Sequence, residues 1–306
     1  MDEEEISLIN FLDSIKADQE IKNILLRFAF HSLRMQDNFP KYLKGMEQNS
    51  NKYGEAVAKL DAWANQSLVN HLSSNNSINL IYSEELDKPF LVNPEGLYHI
   101  TLDPLDGSSN IVANNVFGII LGVYNKPLPQ KGRNLLLAAI KVYGPVNTLI
   151  FSFGSGTHEF VKHYNQNSEP EFYLLNKSMQ FPQKGEVFGI GGQPLEWDKK
   201  FLNFAKDLFK QENLKVRYCG SLVGDFAQIL HRGGFFAYPS TNKSPAGKLR
   251  LTYECNPVAF LAENANAIAI DGKINILDKE VEDVDQRTPF YVGNKYLIDK
   301  LKEYLA

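Results

Sequence analysis

The hydrophobic period of this chain changes twice along its length. Up to about residue 72 apolar side chains recur at helical spacing. Ile21, Ile24, Leu25, Phe28 and Ala29 follow a capping Asp18, and Val57, Leu60, Ala64 and Leu68 follow in a second stretch over 53–72. The polar run 73–77 ends that pattern. Short apolar runs of strand type then take over at 79–82, 98–102, 116–124, 135–142, 148–153 and 159–164, with turn signals at Lys126-Pro127, Gly144-Pro145 and Gly154-Ser155-Gly156. After Trp197 the two periods alternate. Helices are predicted over 197–211, 222–231, 257–264 and up to Leu305, and strands over 216–219, 235–238 and 267–270. Such a chain folds as a mixed α/β protein, α+β in its N-terminal half (1–190) and α/β in its C-terminal half (191–306), with the seam near 180–195.

Composition removes several classes of function. Apolar residues make up 43% and charged residues 22%, unlike a disordered chain. With 32 Lys+Arg against 36 Asp+Glu, the net charge of −4 gives no broad basic field, so no nucleic-acid partner is expected. No apolar run approaches the ~18–20 residues of a membrane span. Met1-Asp2-Glu3-Glu4-Glu5 is acidic where a signal or transit peptide is basic. The expectation is a cytoplasmic protein acting on a small molecule, with Cys219 and Cys255 as reduced thiols. The six histidines are scattered and read as structural or exposed.

The chemistry concentrates in Leu102-Asp103-Pro104-Leu105-Asp106-Gly107-Ser108-Ser109-Asn110. An apolar strand ends at Asp103, Pro104 is expected to turn the chain, and Asp106 follows. Both carboxylates and the Leu105 carbonyl can face one point, an oxygen set suited to Mg²⁺ or Mn²⁺. Gly107, Ser108 and Ser109 open a helical stretch whose backbone N–H groups can hold phosphate. The plainer reading of Asp106 is a helix cap. Glu84 and Glu85 follow another apolar strand; alone they form an ordinary acidic turn, and beside a second acid-tipped strand they become candidate bridging ligands. Glu55 can serve as a first-turn dipole partner, while Asp61 sits among apolar helix positions, where an unpaired carboxylate is costly.

The C-terminal half supplies positive charge. Arg217-Tyr218-Cys219-Gly220-Ser221 is a strand end leading to a helix start, an anion-friendly corner. Read as a strand, Lys248, Arg250, Thr252 and Glu254 share one face. Such a face is commonly solvated; the functional alternative has Lys248 meeting a phosphorylated substrate and Glu254 closing the metal site.

Together these blocks resemble class I fructose-1,6-bisphosphatases, within the lithium-sensitive, metal-dependent sugar-phosphatase superfamily. The resemblance runs from Gly54 to the C-terminus and is weakest over about 125–190. The aspartate motif alone is shared with inositol monophosphatases, which carry a Trp-Asp-x-Ala/Gly ligand motif; here Trp197-Asp198 is followed by Lys199-Lys200. Lys248-Leu249-Arg250-Leu251, Tyr253-Glu254-Cys255-Asn256-Pro257 and Asp285-Gln286-Arg287-Thr288-Pro289 are similar to the bisphosphatase pattern.

The resemblance implies a layered αβαβα sandwich and hydrolysis of the 1-phosphate of fructose 1,6-bisphosphate, giving fructose 6-phosphate for gluconeogenesis. It implies that Glu84, Glu85, Asp103, the Leu105 carbonyl, Asp106 and Glu254 hold about two or three Mg²⁺ per subunit, with Mn²⁺ as a substitute and Glu55 as an acidic neighbour. Acids converging in this way cannot all stay ionised without cations. Asp61 and Glu85 are implied in deprotonating the attacking water. Asp106, Gly107, Ser108 and Ser109 are implied at the 1-phosphate, Lys248 at the sugar phosphate, and Tyr218 and Tyr238 around the 6-phosphate. Arg217 is implied to reach a 6-phosphate across a subunit boundary in a homodimer or homotetramer.

Some stretches depart from that pattern. Asn110-Ile111-Val112-Ala113 replaces the usual Asn-Ile-Asp, and Gly191-Gly192-Gln193-Pro194 replaces an Asn-Glu-Gly stretch that touches the 6-phosphate. The second change keeps sedoheptulose-1,7-bisphosphatase, or dual specificity, as an alternative. A non-catalytic phosphosugar-binding protein is the rival from another class. Ala17-Asp18-Gln19-Glu20-Ile21-Lys22 lacks the glycines and threonines of the AMP-inhibition signature, so weak or absent AMP inhibition is expected. The chloroplast-type redox insertion is missing, and no thiol regulation is expected.

Overall fold

The computed structural model describes residues 5–31, 39–43 and 50–306, with the side chains at 42, 43, 50–53, 55 and 56 also outside the description. Helices α1 (Leu8–Ser14), α2 (Gln19–His31), α3 (Phe39–Leu43) and α4 (Ser50–Leu72) come first. Asp18 starts α2: its Oδ1 accepts the Glu20 and Ile21 N–H groups at 2.8 and 3.2 Å. The expected stripe Ile21, Ile24, Leu25, Phe28 and Ala29 is buried, as are Leu60, Ala64 and Leu68 on α4, with Val57 half-buried.

The next eight strands are β1 (Ile78–Ser83), β2 (Phe90–Leu91), β3 (Tyr98–Asp106), β4 (Phe117–Tyr124), β5 (Leu137–Tyr143), β6 (Asn147–Ser152), β7 (Thr157–Tyr164) and β8 (Pro170–Met179). They form one sheet in the order β2-β1-β3-β4-β5-β6-β7-β8, in which β1 and β3 run parallel. A second sheet, in the order β10-β9-β11-β15-β13, joins β9 (Val187–Ile190), β10 (Lys215–Val216), β11 (Gly234–Tyr238), β13 (Ile268–Ile270) and β15 (Phe290–Gly293). A separate pair joins β12 (Leu249–Arg250) to β14 (Arg287–Thr288).

Helices cover and separate these sheets. The outer face of the first sheet packs on α1, α2 and α4, through Leu8, Phe28, Leu60 and Leu121. Between the sheets lie α6 (Leu222–Arg232) and α7 (Asn256–Glu263), with Phe226 and Leu261 meeting Ile120 and Phe236. On the outer face of the second sheet, α5 (Lys199–Lys210) and α8 (Lys295–Leu305) pack Phe204 and Leu301 on Phe235. The result is the αβαβα layering. On β4, Leu121 faces the first core and Ile120 the second, so the strand is apolar on both faces, and its sequence runs apolar without alternation.

Several local expectations change. The helix expected from Trp197 begins at Lys199, because Asp198 accepts the Lys200 N–H and Trp197 ends a 3₁₀ turn over Pro194–Glu196. The strand expected over 216–219 stops at Val216, since the Cys219 and Gly220 N–H groups are bonded to Asp225 instead of a neighbouring strand. The strand expected over 248–254 reduces to Leu249–Arg250; Leu251–Cys255 form a π-helical turn. Pro104 does not end its strand, because β3 runs on to Asp106 through a bulge. Strands β2, β8, β9, β14 and β15 lie outside the expected runs. β15 has only four residues, and β8 carries Glu171, Asn176 and Lys177 on a sheet edge. β9 lies inside the stretch counted as the first half and pairs in the second sheet.

Candidate active site

The parallel pairing of β1 and β3 brings the first carboxylates together. Ser83 is level with Leu102, and the Glu84 N–H donates to the Leu102 carbonyl at 3.0 Å, so Glu84 follows one strand where Asp103 continues the other. A bulge sets the next one. Asp103 is opposite Ile120, and Asp106 is opposite Gly118. Three steps on β3 match two on β4, so both acids project to one side where regular pleating separates them. Pro104 and Leu105 form the bulge, with the Leu105 N–H donating to Asp103 Oδ1 at 3.0 Å.

Glu254 arrives from the π-helical turn. Its Oε2 accepts the Arg250 N–H at 2.6 Å. Carboxylate oxygens of Glu84, Asp103 and Glu254 lie within 4.8 Å of one another. Asp103 and Glu254 are 6% and 8% exposed, so these charges are close and largely dry. Burial, then Asp106 and Glu254, push the Asp103 carboxyl well above its usual range. Burial pushes Glu254 up to about 7, with Asp106 adding to it and the Arg250 N–H opposing. An all-oxygen set that is strained when ionised fits a hard divalent cation.

Asp106 lies outside this group of three. Its two oxygens accept the Leu222 and Val223 N–H groups at 3.1 and 2.8 Å, at the start of α6. The anion-friendly corner expected at 217–221 therefore holds a carboxylate of the chain itself. Burial raises Asp106 to about 6, against these two amides and the charge of Lys248. Gly107 makes the approach possible. Its φ is +78°, and a Cβ there would lie 2.4 Å from the Ser221 Cβ. Ser108, half-buried, opens a 3₁₀ turn with the exposed Ser109 and with Asn110, whose Nδ2 bonds the Val116 and Cys219 carbonyls at 2.7 and 2.8 Å.

From α4, Asn65 accepts the Ser83 hydroxyl at 2.7 Å and so fixes the helix against the end of β1. Asp61, one turn earlier on the same face, is hydrogen-bonded to Ser108 and is raised to about 6 by burial and by Glu85. Glu85 is exposed beside the cluster. Glu55 also lies on α4, with its side chain outside the described residues.

The positive groups stand around this cluster. Arg250 is ion-paired with Glu84, with Asp285 3.7 Å away. Lys248 is exposed, its ammonium 5.1 Å from the centre of the Tyr238 ring. The Tyr218 and Tyr238 hydroxyls are 2.6 Å apart. Arg217 is exposed, and its guanidinium donates to the Val216 carbonyl at 2.9 Å. Sequence reasoning missed the Arg250–Glu84 pair and the α6 amides on Asp106. The cap residue Ser221 was the available signal for the second; no local pattern marks the first.

Two family models divide the chain between them. "Fructose-1-6-bisphosphatase, N-terminal domain" matches residues 14–177, and "Fructose-1-6-bisphosphatase, C-terminal domain" matches residues 181–306. The chain belongs to the fructose-1,6-bisphosphatase family. It is 35% identical over 296 residues to the class 1 fructose-1,6-bisphosphatase of Methanocorpusculum labreanum, covering 97% of this chain and 90% of that one. It is 37% identical over 266 residues to that of Geobacter metallireducens, covering 86% and 83%. The crystal structure of Leishmania major fructose-1,6-bisphosphatase in holo form superposes with a TM-score of 0.87 at 27% identity, covering 98% of this chain and 99% of that one. The bisphosphatase fold thus brings Glu84 and Asp103, from two parallel strands, to Glu254 on the π-helical turn. Among the described residues no helix is long and apolar enough to cross a membrane.

Proposed function

We propose that this chain is a divalent-metal-dependent fructose-1,6-bisphosphatase, a phosphoric monoester hydrolase that releases the 1-phosphate and leaves fructose 6-phosphate. One observation carries the reading: Glu84, Asp103 and Glu254, from three separate segments, converge within 4.8 Å. In this reading Glu84, Glu85, Asp103, the Leu105 carbonyl, Asp106 and Glu254 hold Mg²⁺, about two or three ions with Mn²⁺ as a substitute, and Glu55 is an acidic neighbour. The bound ions supply charge neutralisation and a water of lowered pKa. Asp61, held by Ser108 and facing Glu85, takes the proton of the attacking water. Asp106, Gly107, Ser108 and Ser109 orient the 1-phosphate. Lys248, Tyr218 and Tyr238 receive the sugar and its distal phosphate, and Arg217 serves the neighbouring subunit of a homodimer or homotetramer. We place the protein in the cytoplasm and its division into halves near residues 180–195. Weak AMP inhibition and no thiol regulation belong to the same proposal.

The test is phosphate release from fructose 1,6-bisphosphate with Mg²⁺, its loss with EDTA, and its loss in Asp103→Asn. Unchanged release in either condition overturns the reading. Gly191 packs on Tyr238 so closely that a Cβ there would lie 2.1 Å from a ring carbon. That wall replaces a polar stretch of the family pattern, so sedoheptulose 1,7-bisphosphate is assayed alongside to compare kcat/KM.

A further inference from the structure

A second carboxylate at the start of α6 has no part in the chemistry described above. Asp225 is 2% exposed. Its Oδ1 accepts the Cys219 N–H at 2.9 Å and its Oδ2 the Gly220 N–H at 3.1 Å. These bonds do not cap the helix, which is already capped. Ser221 accepts the Gly224 N–H at 3.1 Å, and Asp106 takes those of Leu222 and Val223. Asp225 instead reaches back to the segment before α6.

That segment is pinned at both ends. The Arg217 N–H donates to the Phe188 carbonyl at 2.7 Å, extending the pairing of β10. The Cys219 carbonyl accepts Asn110 Nδ2 at 2.8 Å and Asn115 Nδ2 at 3.2 Å. Asp225 holds the N–H of that same residue, and it also holds Gly220, whose φ of +86° makes the bend into α6. Between the pins, Tyr218 puts its hydroxyl 2.6 Å from that of Tyr238, whose ring lies under the Lys248 ammonium. A buried carboxylate persists where hydrogen bonds to backbone amides offset its dehydration. Here both bonds fix the backbone that directly follows one tyrosine.

We infer that Asp225 is a positioning residue for the substrate's distal phosphate. It holds residues 218–220 so that Tyr218 joins Tyr238 and Lys248 in facing the phosphate remote from the carboxylate cluster. The inference rests on the bisphosphatase reading. Asp225 acts through Tyr218 and touches no reacting atom.

The experiment compares wild type, Asp225→Asn, Asp225→Ala, Tyr218→Phe and the Asp225→Ala/Tyr218→Phe double variant, with Mg²⁺ present. KM and kcat are measured on fructose 1,6-bisphosphate, and fructose 6-phosphate binding by calorimetry. In Asp225→Ala, KM and the Kd for fructose 6-phosphate rise together by about tenfold, with kcat and the Mg²⁺ half-saturation within about threefold of wild type. Asp225→Asn, which keeps one acceptor oxygen, falls in between. The double variant binds no more weakly than Asp225→Ala, because the two residues act in series. A fall in kcat at unchanged KM, a shifted Mg²⁺ requirement, or additive losses in the double variant overturns the inference. Should Asp225→Ala fail to fold, Asp225→Asn decides by the same ratios. If wild type releases no phosphate, the functional reading is what falls, and the fructose 6-phosphate Kd ratios still judge Asp225.

Discussion

The carboxylate of Asp106 on β3 is held by the amide of Val223 on α6 at 2.8 Å, a bond between two layers of the fold. Asp103, at the other end of the same bulge, accepts the Leu105 amide and faces Asp106 and Glu254. The two aspartates therefore differ in what they do for the metal-free protein.

Replacing Asp106 by Ala leaves two buried amides without acceptors and lowers stability by about 1–3 kcal/mol, together with activity. Asp103→Asn keeps an acceptor for Leu105 and removes a charge that its neighbours repel. Its melting temperature in EDTA equals or exceeds that of wild type, while kcat/KM falls by several kcal/mol of transition-state stabilisation. Calorimetry beside phosphate release tests the pair. A large loss of stability in Asp103→Asn contradicts the assignment.

Metal affinity follows pH. Glu254 near 7 and Asp106 near 6 hold protons that a cation must displace. Apparent Mg²⁺ affinity therefore rises between about pH 6 and 8, and binding releases protons, measurable by titration calorimetry in buffers of different ionisation enthalpy. The sign for folding is opposite to that of a salt-bridged acid. Both pKa values lie above those of the unfolded chain, so this stability is complete below about pH 4 and is lost as pH rises through 6 and 7. Added Mg²⁺ restores it.

Asp61 accepts a proton only when ionised, and burial with Glu85 holds its pKa near 6. The acid limb of kcat/KM falls near that value at low Mg²⁺ and moves to lower pH as the cation concentration rises. Asp61→Asn lowers kcat by about a hundredfold and flattens the limb. Ser108→Ala removes a hydrogen bond that favours the ionised form, and moves the limb upward. At saturating Mg²⁺, where metal binding no longer limits the rate, an acid limb that stays in place in Asp61→Asn excludes this role.

Far from the site, His231 at the end of α6 bonds the buried Glu159 on β7 at 3.0 Å, and that bond raises the His231 pKa. Its contribution is complete below the unfolded value of about 6.5 and disappears as pH rises through the folded one. With the His231 side chain 43% exposed, screening keeps the effect of His231→Gln to about 1 kcal/mol at pH 6, with a smaller cost at pH 9, read as a melting-temperature difference.

Elements buried on both faces were legible in the sequence. The run 116–124 lacks alternation because Leu121 and Ile120 enter different cores, and Asp18 and Ser221 announce their helices by capping. The acids after two apolar strands could be paired because parallel strands end side by side. The segment 248–254 misled for a physical reason. Lys248, Arg250, Thr252 and Glu254 alternate like a strand face, yet every residue of Leu251–Cys255 is buried, which suits a tightly packed turn. Asp225 and the Arg250–Glu84 pair depend on contacts between distant segments, and no local pattern encodes them.

The bulge at Pro104 and Leu105 makes chain length, more than chemical identity, the quantity that segment must preserve. Shortening it by one position restores even pleating with both aspartates still on one face, but removes the extra peptide whose N–H bonds Asp103 and whose carbonyl is proposed to meet the metal. Side-chain exchanges at 104 or 105 are thus tolerated better than any insertion or deletion there.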